Sequence, residues 1–293
     1  MMVGMFPSVR TRRADIAGHH VLVTGSASGI GRAVAEQLAD RGAILHLTDV
    51  DEEGLADART SIAASGGNVA TARTADVTSL DEVRELAAEV NTHTPAVDAV
   101  LNVAGIAIWG KVENMSAEQW QQVIDVNLMG PIHVIETFVP PMIEHGRRGH
   151  LVNVSSAAGL IGLPWHAAYS ASKFGVRGVS EVLRFDLAQH GIAVTLACPG
   201  AVDTPLTDSM RIAGIDTSTA QFAKLRRRFQ HRAVSPQVAA ERIVGGMLAR
   251  KSLVYTSGDI WALHAVQRYV PPAYAAMMHA GNRMADRAER SLR

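Results

Sequence analysis

The fold is decided by the stretch "HVLVTGSASGIGRAVAEQLADRG", residues 20–42. It opens on an apolar run of strand character, "HVLVTG" over 20–25. It turns through glycines and continues as an amphipathic helix over 29–42 that stops at Gly42. Gly25, Gly29 and Gly31, with Ser28 and Ile30 between them, stand where strand gives way to helix. Glycine there permits a tight turn and lets backbone approach a pyrophosphate. The helix N-terminus adds free N–H groups and a partial positive charge. The spacing is GxxxGxG, not the commoner GxGxxG. By itself it suits a dinucleotide, a methyltransferase-type nucleotide site or an unliganded turn.

The same alternation runs along the chain. "AILHLTD" (43–49) reads as a second strand and "DEEGLADARTSIAASGG" (51–67) as a helix with its own glycine stop. Further strands are expected at 68–76, 97–105, 149–156, 192–200 and 252–257, and helices at 79–91, 116–146 and 166–191. Strands joined through helices need crossover connections, hence a mainly parallel sheet with helices on both faces. The expected class is α/β, a Rossmann-type doubly wound sheet of about seven strands. No linker rich in Pro, Gly or Ser divides the chain. The reading is a flexible leader over 1–17, one catalytic domain over 18–257 and a C-terminal helical extension over 258–293. The stretch 203–235 fits no strand and is expected as a helical excursion over the carboxyl edge of the sheet, where ligands bind in such folds.

Composition narrows the classes. The 293 residues are 47% hydrophobic but only 5% aromatic, so the core must be mostly Ala, Val, Leu and Ile. The 28 basic residues balance 28 acidic ones, which excludes an extended field for nucleic acid. The short "RTRR" run at 10–13 reads as a solvated leader. A single Cys198 excludes an intramolecular disulfide and fits a reducing compartment. No run approaches the roughly 18 apolar residues that span a bilayer, and the first residues lack a signal-peptide core, so a cytoplasmic protein is expected. The twelve histidines show no HxxxH spacing, and no catalytic metal is expected.

Asp49 ends the second strand, 18 residues past Gly31. An acidic residue there accepts hydrogen bonds from both hydroxyls of an adenosine ribose and repels a 2′-phosphate. With no Lys or Arg at Ser28 or Val50, NAD is favoured over NADP. Asp49 as a mere cap of the following helix is the competing reading. Further on, "AAYSASKFGV" (167–176) places Tyr169 and Lys173 four apart, on one face of a helix.

The ordered set "TGSASGIG", the Asp of "ADVT", "LNVAG", "DVNLMG", "LVNVSSAAG", "YSASK" and "CPGAVDT" resembles the short-chain dehydrogenase/reductase family, from about residue 18 to about 257. The resemblance implies four catalytic positions: Asn127, Ser156, Tyr169 and Lys173. It makes Asp76 and Val77 neighbours of the adenine, and lays Asn102, Ala104 and Gly105 along the cofactor. It sets Pro199, Gly200, Val202 and Thr204 around the nicotinamide. Val103 stands where relatives carry a second Asn, which removes a contact to the fourth strand.

The chemistry follows. A tyrosine near pKa 10 is a poor base at neutral pH. A lysine ammonium and a pyridinium nearby are expected to lower it. Tyr169 then exchanges a proton with an alcohol as a hydride moves, Ser156 holds the substrate oxygen, and Lys173 binds the ribose. The resemblance gives Asn127 a water that joins Lys173 to solvent through a local helix break. Leu160, Ile161, Leu163, Trp165 and His166, with Val112, Met115, Met210, Ile212 and Ile215, are candidate cleft residues or ordinary core. If they line it, an apolar secondary alcohol or ketone fits: steroid-like, retinoid-like, terpenoid or fatty-acyl. The C-terminal segment is helical after Pro271 and Pro272, and is expected to cap the site, pack in an oligomer or rest on a membrane. A homodimer or homotetramer is expected by analogy. An NADPH-dependent 3-oxoacyl thioester reductase is the alternative within the class, and a nucleotide-sensing protein on the same fold the alternative outside it.

Overall fold

The computed structural model describes residues 16–208, 211–216, 219, 222, 223 and 233–292. The "RTRR" run and Met210 lie outside them. Seven strands form one all-parallel sheet: β1 His20–Thr24, β2 Ile44–Asp49, β3 Asn68–Thr74, β4 Ala99–Asn102, β6 His150–Val154, β7 Ala193–Cys198 and β9 Leu253–Tyr255. Their spatial order is β3-β2-β1-β4-β6-β7-β9. This is the Rossmann-like sheet expected from the alternation. Two further strands, β5 Ile108–Trp109 and β8 Arg211–Ile212, make a separate parallel pair. The second of these corrects the reading that no strand falls within 203–235.

Strand composition explains the layering. In β1, Val21 and Val23 face one side of the sheet and Leu22 the other, as the two-residue period requires. The same split separates Ala99 and Leu101 from Val100 in β4. Both faces are covered, so the central strands β1 and β4 are mostly apolar on both sides. Helices α1 Gly29–Ala39 and α2 Glu52–Ala64 cover the first face, with a later helix, Pro236–Leu248. α3 Leu80–Val90 and α5 Gly130–Glu144 cover the second. Caps begin several of them: Asp51, Ser79 and Ser116 each accept a hydrogen bond from the backbone N–H three residues on.

The helix expected over 116–146 is present but interrupted. α4 Ala117–Ile124 passes into a π-helical turn, Asp125–Met129, and then into α5. α6 Ala167–Asp186 follows β6 and buries Tyr169, Ser172, Lys173, Val176 and Ser180 as one stripe. Beyond it come α7 Pro205–Asp208, α8 Pro236–Leu248, α9 Gly258–Tyr269 and α10 Pro271–Leu292.

The chain moves outward from β1 to β2 and β3, then returns past β1 to build β4 and the strands beyond it. The connections leaving β1 and β4 therefore diverge at their carboxyl ends and open a crevice there. Gly25 follows β1 at its rim, and Val103 to Gly105 follow β4.

Candidate active site

At that crevice the Thr24 side-chain oxygen accepts from the backbone N–H groups of Val103 at 3.0 Å and Ala104 at 3.1 Å, tying the two strand ends together. A Cβ at Gly25 would stand 2.7 Å from the Ala104 Cα, and one at Gly31 would stand 1.9 Å from the Gly25 carbonyl oxygen. Side chains would fill this cradle, so the first turn of α1 is left bare. The structure thus has room for backbone to meet a phosphate group. Asp49 closes the far end. Its carboxylate accepts from Ala27 N–H at 2.9 Å and Asp51 N–H at 3.1 Å. Asp51, not Asp49, caps α2.

A cavity of about 690 Å³ extends from this cradle. Gly25, Ser28, Gly29, Ile30, Gly31, Asp49, Asp76, Val77, Ala104 and Gly105 line its wall. Ser156, Tyr169, Lys173, Pro199, Gly200, Val202 and Thr204 line the rest of the expected set.

Two expected residues do not line it. Asn102 points its amide across the sheet and donates to Asn153 Oδ1 at 2.9 Å. Asn153 in turn donates to Ser180 at 3.0 Å, so Asn102 belongs to a buried polar chain linking the strand to α6. Asn127 is fully buried in the π-helical turn. Its side chain accepts from Ile106 N–H at 2.9 Å and donates to the Ile106 carbonyl at 3.0 Å. The helix break is where it was expected, but the side chain is occupied in holding the segment after β4.

Ser156 leaves β6 and caps a short 3-10 turn, accepting from Ala158 N–H at 3.1 Å. Its hydroxyl lies within hydrogen-bonding reach of the Tyr169 phenol. Lys173 donates to the Val154 carbonyl at 3.2 Å, with its Nζ 5.8 Å from the Tyr169 ring centre. Gly105 makes room for this arrangement, since a Cβ there would meet Asn127 at 2.9 Å and Lys173 at 3.4 Å.

Burial dominates the electrostatics of the Tyr169 and Lys173 pair. Burial pushes the Tyr169 phenol up, and the Ser156 hydrogen bond only opposes it. Burial also pushes the Lys173 ammonium down to about 8. Desolvation disfavours the charged form of both groups.

The cavity wall around Tyr169 is aromatic. Trp109 packs against His166 with ring centres 4.2 Å apart and lies 6.4 Å from Tyr169. Of the candidate cleft residues, Leu163 and His166 line the cavity. Leu160 and Ile161 are buried in core beside Val176 and Leu196. Met115, Ile212 and Ile215 pack behind Tyr169. Trp165 holds a strained φ of 67°, and Val112 is 72% exposed. The sequence reading missed Trp109, Leu206 and Ile260. Trp109 sits in a two-residue strand, too short to signal itself. Ile260 arrives only because α9 folds back, so that a Cβ at Gly200 would stand 2.9 Å from it.

α10 then crosses the loops at this end. Tyr274 donates to the Gly162 carbonyl at 2.7 Å. Lys111 pairs with Asp286 at 2.9 Å and Glu289 at 2.8 Å. Among the described residues no helix is long and apolar enough to cross a membrane.

A family model described as short chain dehydrogenase matches residues 19–213. The chain belongs to that family. This short-chain dehydrogenase is 36% identical over 272 residues to a Mycobacterium tuberculosis protein named as the oxidoreductase SadH, a match covering 92% of this chain and 96% of SadH. Its fold matches a Burkholderia phymatum short-chain dehydrogenase/reductase in complex with NAD, with a TM-score of 0.80 and 30% identity over 87% of this chain and 94% of that one. It also matches a single-substitution variant of the actinorhodin polyketide ketoreductase with NADPH, with a TM-score of 0.71 and 31% identity over 83% of this chain and 97% of the other. The short-chain dehydrogenase is thus an oxidoreductase of a family whose solved structures hold NAD in one case and NADPH in another.

Proposed function

We propose that this short-chain dehydrogenase is an NAD(H)-dependent oxidoreductase that interconverts a hydrophobic secondary alcohol, steroid-like, retinoid-like, terpenoid or fatty-acyl, and its ketone. The observation that carries the reading is the gathering of Ser156, Tyr169 and Lys173 in the same cavity as the bare helix end and Asp49. Asp49 offers lone pairs to ribose hydroxyls. Among the described lining residues Lys173 is the one Lys or Arg, and it sits with Tyr169 rather than at the Asp49 end, which supports NAD. The glycine turn would hold the pyrophosphate, Asp76 and Val77 the adenine, and Pro199, Gly200, Val202 and Thr204 the nicotinamide.

Bound NAD supplies the hydride acceptor and a positive ring. Ser156 donates a hydrogen bond to the substrate oxygen and fixes its carbon. The Tyr169 phenol gives a proton to a ketone oxygen. In the reverse direction its phenolate, favoured by the Lys173 ammonium and the positive ring, takes the alcohol proton. Lys173 anchors the ribose and relays the proton. The Asn127 turn holds Ile106 and, through it, the cavity wall. The protein acts, in this reading, in the cytoplasm as a homodimer or homotetramer.

The likeness to an NADPH-bound ketoreductase favours a second reading, a 3-oxoacyl thioester reductase. Asp49 opposes it. A screen of hydrophobic alcohols with NAD, read as NADH absorbance, tests the first. Tyr169→Phe is expected to lower kcat by about 10²- to 10⁴-fold while NAD still binds. Retained turnover would end the assignment. Asp49→Ala is expected to raise NADP affinity relative to NAD. A tenfold NADP preference in the unmodified protein, about 1.4 kcal/mol, would reverse the cofactor reading.

A further inference from the structure

His166 stands three residues before Tyr169 and lines the same cavity. Its ring is held on one side by Trp109, 4.2 Å between centres, and its centre is 6.2 Å from that of Tyr169. Its Nδ1 lies 2.6 Å from the Pro164 carbonyl oxygen. A carbonyl oxygen can only accept, so Nδ1 carries the proton. Burial disfavours a second proton on the ring. Nε2 is therefore a bare acceptor. An apolar cavity wall that carries a ring acceptor gains a hydrogen bond when the ligand brings a donor. Nearby lining residues, Ala107, Trp109 and Leu163, are otherwise mainly apolar.

We propose that His166 is a specificity-determining residue that selects substrates carrying a second hydroxyl, which donates to Nε2 while the reacting oxygen lies between Ser156 and Tyr169. A diol, or the hydroxyketone it gives, carries both oxygens, and the two rings stand 6.2 Å apart between centres. This rests on the alcohol-oxidising reading above. It adds no chemical step, since the second hydroxyl is recognised and not oxidised. A site that bonds a substrate hydroxyl discriminates strongly against the analogue lacking it.

The test uses the full chain with NAD and matched probes: cyclohexanol against cyclohexane-1,2-, 1,3- and 1,4-diol, and 1-indanol against indane-1,2-diol. The expected result is at least a tenfold higher kcat/KM for one diol than for its mono-alcohol. His166→Phe, which keeps a ring against Trp109, should erase that ratio mainly through KM on the diol. His166→Asn, which restores an acceptor, should recover part of it. Equal rates on diol and mono-alcohol would overturn the proposal, as would turnover of no diol, or an equal loss on both probes in His166→Phe. Should that variant fail to fold, the wild-type ratio and His166→Asn decide. Mono-alcohol oxidation that needs Tyr169 but shows no diol preference defeats this inference alone. Absence of any Tyr169-dependent alcohol oxidation defeats the functional reading as well.

Discussion

At position 31 an added methyl would collide with the Gly25 carbonyl oxygen at 1.9 Å, and that oxygen belongs to backbone that cannot swing aside. Gly31→Ala is therefore expected to destabilise the fold by about 1–3 kcal/mol and to abolish NAD binding, read by urea unfolding and by cofactor titration. Unchanged affinity would show that the turn does not carry the nucleotide. Single residues of this kind were legible in the sequence because their chemistry depends on type and spacing. Gly25, Gly31, Asp49, Ser156, Tyr169 and Lys173 all reach one cavity. The effect of burial on Tyr169 was not legible, since no local pattern encodes how much water the packed elements exclude. Trp109 and Ile260 escaped for a related reason: they become neighbours of the site only through distant folding.

At the scale of elements, the instructive case is the π-helical turn between α4 and α5. It shifts the apolar phase by one residue, too little to stand out in a thirty-residue amphipathic pattern. What it achieves is visible in its hydrogen bonds, because Asn127 satisfies both the N–H and the carbonyl of Ile106. Asn127→Ala strands two partly buried backbone groups, with an expected loss of about 1–3 kcal/mol for each. Thermal melting should register that loss, and kcat should fall with it, since Ile106 lines the cavity. A melting temperature equal to wild type would mean that water replaces the amide. The β5–β8 pair was invisible for want of length, as two residues cannot display a period of two.

For the whole molecule, buried histidines set an acid limit. His46, fully buried in β2, bonds His20 at 3.0 Å and Thr71 at 3.0 Å. Burial pushes it down to about 3, and pushes His150 in β6 down to about 4. Both sit near 6.5 when unfolded, so the unfolded chain binds more protons between those values. Their contribution is fully present above pH 6.5 and is lost as pH falls toward the folded values, by up to about 1.4 kcal/mol per pH unit for each. Urea unfolding at pH 7.5, 6.0 and 5.0 should show that decline, and His46→Gln should flatten it; parallel curves would sink the idea. The sheet class was readable from apolar strands separated by helices, whereas strand order was not, because parallel neighbours leave no turn signature between them. That order has a price in synthesis. β1 gains its second neighbour only once Val21 to Val23 can meet Ala99 to Leu101, and β7 gains its outer one only at Leu253–Tyr255. A nascent chain thus carries unfinished, sticky strand edges for most of its time on the ribosome, and we expect recovery of active protein to track chaperone supply and dilution during refolding more closely than it tracks final stability.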